Sequence, residues 1–227
     1  MMYNVMDICT GIGGFSLALK WLVGGFRTVC YVEINKYCQQ VIKQRIRDGY
    51  LDDAPIWSDL KTLDGRAWCG AVDIITAGFP CQAFSTAAHG NWTAEDLWPY
   101  IAKIINKVKP PILFLGNVSK NPILKASNDI TGYNVKVLRI EAAAVGAPHK
   151  RSRWMLVAHT DDYGQSNGSI NDETQIMQKI KTNIWENYTE VMGMDDGVSH
   201  RMDRLKALGN AVVPEVVRQT WKINNGP

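Results

Sequence analysis

Apolar and polar positions along the chain switch between two periods. Tyr3–Ile8, Thr28–Val32, Asp73–Ala77 and Ile112–Leu115 are short, largely apolar runs of strand length. Each is closed within a few residues by a glycine or an acid. Between them, Phe15–Leu22, Asn35–Arg47 and Ala94–Val108 carry apolar residues at helical spacing, and Pro110-Pro111 introduces the strand at Ile112. This alternation predicts βαβ units, and so an α/β fold with a doubly wound sheet covered by helices on both faces. Tyr133–Arg139 and Arg153–Ala158 predict two further strands, and the chain from Pro214 a closing helix. Between Asp161 and His200 the periodicity fades into a polar stretch, with one weak helical pattern at Glu173–Ile184.

Composition narrows the class. A chain of 227 residues suits one domain of ordinary size, and 46% hydrophobic with 21% charged residues marks a folded chain rather than a disordered one. No apolar stretch approaches the ~20 residues that span a bilayer. The N-terminus lacks the basic and apolar regions of a signal peptide. The five cysteines are odd in number and form no C-x-x-C pair, which argues against zinc or disulfides and for a reducing, cytoplasmic setting. The net charge of +3 divides unevenly: residues 159–200 hold eight acids and two bases, a net of −6, so the remainder carries +9. A basic body suits a phosphate-backbone partner, although solvated surface lysines would give the same count.

Gly11-Ile12-Gly13-Gly14 follows a strand and opens a helix, where glycines let backbone approach a ligand closely; a plain tight turn would use the same residues. Glu33 ends the second strand, where an acid in nucleotide-binding α/β folds accepts from ribose hydroxyls. Gly78-Phe79-Pro80-Cys81-Gln82 ends a buried run and presents one thiol at the carboxyl edge of the sheet. A thiolate near backbone donors and cations is an activated nucleophile, so Cys81 is the candidate, with Cys9, Cys30, Cys38 and Cys69 read as inert. Arg151 and Arg153 alternate on the approach to a strand and project to one face.

Taken in order, Asp7-Ile8-Cys9-Thr10-Gly11-Ile12-Gly13-Gly14-Phe15, Gly78–Gln82, Arg151-Ser152-Arg153 and Gly209-Asn210-Ala211-Val212 resemble the C5-cytosine DNA methyltransferase family. The resemblance covers most of residues 3–158 and 204–218. It implies a Rossmann-like mixed sheet, S-adenosylmethionine as cofactor with S-adenosylhomocysteine as product, and duplex DNA as partner. By that resemblance the cofactor would meet Asp7, Thr10, Gly11, Ile12, Gly13, Gly14, Phe15, Glu33, Ile34, Asp59, Leu60, Gly78, Pro80, Leu97, Asn210 and Ala211. Glu33 would hold the ribose, Asp59 the adenine, Phe15 would stack near the adenine or methionine portion, and Asn210 would close the pocket. Cys81 would attack a cytosine flipped out of the duplex. Arg153 would bind the cytosine carbonyl oxygen beside Arg151 and Asn117. The loop from Ser85 to Asp96, with His89 and Trp92, would close over DNA, with Gln82 and Ser85 touching phosphate or the orphaned base. His149 stands where the family has a glutamine.

The resemblance divides the chain into a catalytic domain, residues 1–158 plus 204–227, and a short target-recognition region, 159–203. Its side chains Gln165, Asn167, Ser169 and Asn171 would reach base edges. Otherwise recognition would be weak or a protein partner would supply it, since an acidic surface approaches a polyanion poorly. The expectation is a monomer with no metal and no membrane contact.

One block departs from the family. Leu115-Gly116-Asn117-Val118 places glycine where the family's Glu-Asn-Val has its acid. Positioned acid–base groups contribute about 10²–10⁴-fold, so impaired or absent turnover is expected. A degenerate homologue, a Glu→Gly replacement, or rescue by Glu95 or Glu141 would each account for Gly116. Two other classes compete: a non-catalytic DNA- or protein-binding homologue, and a nicotinamide-dependent oxidoreductase. The latter gives the Pro-Cys turn and the Arg-x-Arg block no role.

Overall fold

The computed structural model describes residues 2–80, 95–147, 151–160 and 201–225. Seven strands form one mixed sheet in the order β3-β2-β1-β4-β5-β7-β6. Strands β1 (Tyr3–Ile8), β2 (Phe26–Val32), β3 (Ile56–Trp57), β4 (Ile74–Ala77) and β5 (Ile112–Asn117) run parallel. Strand β7 (Ser152–Thr160) lies antiparallel between β5 and β6 (Tyr133–Glu141). The chain winds from β1 outward to β3, then returns to β4 on the other side of β1. That reversal opens a crevice beyond the carboxyl ends of β1 and β4, the place where open α/β sheets take ligands.

Alternation along each strand sorts side chains onto two faces. Met6, Ile8, Ile75, Ala77, Leu113, Leu115 and Leu156 pack with Trp98, Ile101, Ile104 and Ile105 of α3 (Trp98–Val108) and Ile123 of α4 (Lys120–Asp129). Val5, Ile74, Ile112, Phe114, Met155 and Val157 pack on the opposite face. Their partners there are Phe15 of α1 (Gly14–Leu17), Ala18 and Leu19 of a following π-helical segment (Ala18–Val23), and Val216 and Val217 at the closing helix. Helix α2 (Lys36–Arg47), capped by Asn35 through Cys38 N, covers Tyr31 with Ile42. After β7 the described chain resumes in α5 (Arg201–Asn210) and closes with α6 (Pro214–Asn225).

Several elements differ from expectation. The helix expected from Ala94 starts only at Trp98, where Pro99 sits in the first turn and Asp96 Oδ1 accepts from Trp98 N at 3.0 Å. Strand β5 runs on through Gly116 and Asn117, because both pair with β7, opposite Met155 and Trp154. β3, α4 and α5 have no counterpart in the periodicity. β3 is only two residues long, and α4 buries little beyond Pro122, Ile123 and Ala126. The weak helical pattern at Glu173–Ile184 lies outside the described residues.

Candidate functional site

The first wall of the crevice is the turn after β1. Cys9, Gly11 and Gly13 take left-handed φ values of +52°, +58° and +88°, which coil the backbone tightly before α1. Thr10 pins the coil down: its hydroxyl donates to Asp7 O at 2.6 Å, and its amide donates to Val32 O at 3.1 Å. Glu33, nearly buried at the end of β2, clamps the same turn from the side. Its Oε2 accepts from Gly11 N at 2.6 Å and its Oε1 from Asn35 N at 2.8 Å. Burial pushes the Glu33 carboxyl up, against the pull of the Asn35, Gly11 and Ile34 amides. With three amides on two oxygens, the carboxylate keeps one further lone pair. Next to it Ile34 is 71% exposed, an apolar side chain left open at the crevice.

Some of the residues expected at the cofactor instead support the site from below. Asp7 is fully buried, and accepts from Ser16 Oγ at 2.6 Å and Thr76 Oγ1 at 2.8 Å. It braces α1 to β4 rather than facing a ligand, and burial pushes its carboxyl up to about 7. Phe15 is not an open stacking surface either. Its ring packs edge-to-face on Phe114, centroids 5.2 Å apart, inside the core. Ile12 packs with Cys38 and Ala207, Leu60 lies in the main core, and half-buried Leu97 packs against that core. Asp59 is half-buried and caps a short 3-10 turn by accepting from Lys61 N at 2.9 Å. Among the thiols, burial raises Cys9 and pushes Cys30 and Cys38 up to about 11, so all three stay protonated. Cys69 is exposed.

The second wall is the exit from β4. Gly78 N donates to Ile8 O at 3.3 Å, Phe79 is buried against Trp98, and Pro80 is exposed. The chain passes directly into Cys81. Cys81, Gln82, Ser85, His89 and Trp92, like His149, lie outside the described residues. Asn117 holds this exit in place: Nδ2 donates to Phe79 O at 3.0 Å, and Oδ1 accepts from Ser119 N at 2.9 Å. Each end of its amide is thus engaged once on backbone.

Gly116 is buried at the end of β5, paired with Met155. By strand alternation it shares a face with Met155 and Arg153, while Asn117 shares the other with Trp154. Arg153 is buried, its Nη2 3.4 Å from Ala211 O and its Nη1 donating to Ser152 O at 3.2 Å. Arg151 donates from Nη1 to Leu208 O at 3.0 Å and from Nη2 to Gly209 O and Ala211 O. The two arginines therefore converge on the Gly209–Ala211 turn, with exposed Asn210 at its centre.

Neither acid considered as a substitute for the missing glutamate faces Gly116. Glu95 pairs with Lys61 and accepts from Tyr100 Oη at 2.9 Å. Glu141 pairs with Ser152 across β6 and β7, on the face opposite Gly116, and meets Arg139 at 3.2 Å. Sequence reasoning missed Ser16 and Thr76 as partners of Asp7. It placed Val212 in the late block but missed its contact with Gly14, where a Cβ would lie 2.8 Å from the valine carbonyl.

Residues 3–204 match the family model described as C-5 cytosine-specific DNA methylase. The chain belongs to that family. The Type II methyltransferase M.CviJI of Paramecium bursaria Chlorella virus IL3A is 28% identical over 233 residues, which cover 97% of this chain and 59% of the viral protein. M.HhaI of Haemophilus parahaemolyticus is 29% identical over 175 residues, covering 71% of this chain and 50% of that protein. The chain thus spans about half the length of these relatives. Among solved structures, the Entamoeba histolytica methyltransferase EhMeth superimposes with a TM-score of 0.67 at 12% identity, covering 98% of both chains. S. pombe Dnmt2 gives 0.58 at 22% identity, covering 79% of this chain and 56% of that one. These likenesses establish the Rossmann-like methyltransferase fold for this methylase-family chain. Among the described residues no cluster of three or more His, Cys, Asp or Glu could hold a metal ion, and no helix is long and apolar enough to cross a membrane.

Proposed function

We propose that this chain uses S-adenosylmethionine to methylate C5 of cytosine in DNA, with turnover severely impaired by Gly116. One observation carries the reading: the Glu33–Gly11 clamp and the β4 exit into Cys81 stand at the same carboxyl edge of the sheet. The residues present suit the cofactor. A Cβ built on Gly11 meets nothing within 4 Å, so the turn borders open space. Glu33 keeps acceptor capacity for a ribose hydroxyl, and exposed Ile34 and half-buried Asp59 offer an apolar face and an acceptor for the adenine. Gly78, Pro80, Asn210 and Ala211 would complete the pocket. When bound, the cofactor supplies an electrophilic methyl group.

Cytosine C5 is a weak nucleophile. Addition of the Cys81 thiolate to C6 makes the ring electron-rich at C5. After methylation, loss of the C5 proton breaks the C6–S bond and restores the aromatic ring. The target base must leave the stack, at a cost of a few kcal/mol. Arg153 would hold the cytosine carbonyl oxygen. A glutamate at 116 would meet N3 and the amino group, and Gly116 offers neither a proton nor a side-chain acceptor. Residues 159–203 would read the target, or a protein partner would. The chain would act as a monomer in the cytoplasm. Gly116 also favours a second reading, a non-catalytic DNA- or protein-binding homologue on the same fold.

The test is covalent capture by DNA carrying 5-fluorocytosine, whose fluorine blocks the elimination that frees the thiol. With S-adenosylmethionine present, Gly116→Glu should give a denaturation-resistant protein–DNA adduct at Cys81, the unaltered chain far less, and Gly116→Glu/Cys81→Ser none. An adduct that survives loss of Cys81 would contradict the assignment.

A further inference from the structure

We infer that Arg151 is a positioning residue for the cofactor pocket, holding the Gly209–Ala211 turn against the Gly11–Gly14 turn, and not a contact to the base. This rests on the proposed S-adenosylmethionine site. The guanidinium of Arg151 is occupied by backbone, donating to the carbonyls of Leu208, Gly209 and Ala211. Those carbonyls lie at and just beyond the carboxyl end of α5, where the last C=O groups lack intrahelical partners and the helix dipole is negative. The last turn of α5 carries no basic residue of its own, so Arg151, reaching from the start of β7, provides the cation there. A planar fork suits three diverging acceptors better than a point charge does.

The turn fixed in this way forms one side of the crevice. Ala211 N closes on Ala207 O at 3.0 Å, and Ala207 packs over Ile12 and Cys38. The next residue, Val212, bears directly on Gly14: a Cβ built there would lie 2.7 Å from Val212 Cγ1 and 2.8 Å from its carbonyl oxygen. Contact therefore runs from Arg151 through backbone carbonyls to Val212, and from Val212 to the glycine turn clamped by Glu33. Arg153 touches the same Ala211 carbonyl only at 3.4 Å. The two arginines divide the work: Arg151 sets the cofactor wall, and Arg153 stays near the face of Gly116.

The experiment measures calorimetric binding of S-adenosylhomocysteine to the full chain, to Arg151→Lys and to Arg151→Ala. Duplex DNA binding without cofactor and thermal unfolding are followed in parallel. The alanine variant should bind the nucleoside at least about tenfold more weakly, a loss of ~1.4 kcal/mol. Lysine, which restores the charge but not the fork, should fall between. DNA affinity should change less than twofold in both. Unchanged nucleoside affinity in Arg151→Ala would overturn the inference, as would a loss of DNA affinity with cofactor affinity intact. If the alanine variant is unfolded at the assay temperature, Arg151→Lys decides alone: folded and weaker for the nucleoside supports the inference, folded and unchanged refutes it. An unaltered chain that binds no S-adenosylhomocysteine would instead sink the cofactor reading, and this inference with it.

Discussion

Gly14→Ala is the smallest change that reaches the wall of the proposed cofactor crevice. The added methyl would stand 2.7 Å from Val212 Cγ1 and 2.8 Å from Val212 O. The valine methyl can rotate away, but the carbonyl is backbone, so the chain around Val212 must shift by several tenths of an ångström. Overpacking of this kind costs about 1–3 kcal/mol. Alanine recovers ~0.5–1 kcal/mol of that through its better helix propensity at the start of α1. The net is a loss of up to about 2.5 kcal/mol, which for a chain of this size lowers the melting temperature by at most roughly 10 °C. The shift also moves the turn that bears Asn210, so affinity for S-adenosylhomocysteine should fall about tenfold or more. Gly24→Ala is the control: its φ is +83° and nothing lies within 4 Å of a Cβ there. With ψ at 160° as well, it should cost about 1–3 kcal/mol of stability through backbone strain, and leave nucleoside affinity unchanged. Differential scanning calorimetry and titration calorimetry on the three proteins give both numbers. A Gly14→Ala protein with unaltered melting temperature and affinity would refute the argument that this contact shapes the pocket.

Other perturbations test other parts of the site. Folded Asp7 keeps its proton up to about pH 7, while the unfolded carboxyl loses it near 3.8. Its contribution to stability therefore declines as pH rises from about 4 to about 7, by at most ~4 kcal/mol at 1.36 kcal/mol per pKa unit. Asp7→Asn should remove that decline, so the stability of the unaltered chain minus that of Asp7→Asn, followed by denaturant melts, should fall across this range; a flat difference would contradict the burial argument. Asn117→Ala leaves Phe79 O and Ser119 N without their partner and should cost about 1–3 kcal/mol, read as a lower denaturation midpoint. Gly116→Glu should fold, because a Cβ there meets Met155 Sδ at 3.2 Å and Phe15 Cζ at 3.1 Å, and the thioether can yield. Its melting temperature should drop by only a few degrees, and failure to fold would show the pocket to be closed around glycine.

Much of the fold could be read from period alone. Strands β4 and β5 are buried throughout and β1 and β2 over most of their length, and such runs are legible because every second residue enters one of two cores. β3 and α4 escaped because their sequences carry too little periodic burial. Long-range partners were also hidden. The bond from Thr76 to Asp7, and the contact of Gly14 with Val212, join segments far apart in sequence. A motif therefore marks Asp7 and Phe15 as belonging to the site without revealing that they support it from beneath. The spacing of Arg151 and Arg153 foretold a shared face. It could not foretell that three backbone carbonyls take the Arg151 fork, since α5 has no clear sequence pattern.

On the reading proposed above, this methylase-family chain has the cytosine-methylating apparatus and lacks one acid. Transfer of labelled methyl from S-adenosylmethionine to mixed-sequence DNA tests it most directly, comparing the unaltered chain, Gly116→Glu and Gly116→Glu/Cys81→Ser. Little transfer is expected of the first, an increase of about 10²–10⁴-fold in the second, and none in the third, with the label recovered as 5-methylcytosine. Efficient transfer by the unaltered chain would contradict the role given to Gly116. No transfer by any of the three, with all folded, would contradict the enzyme reading and favour a binding protein.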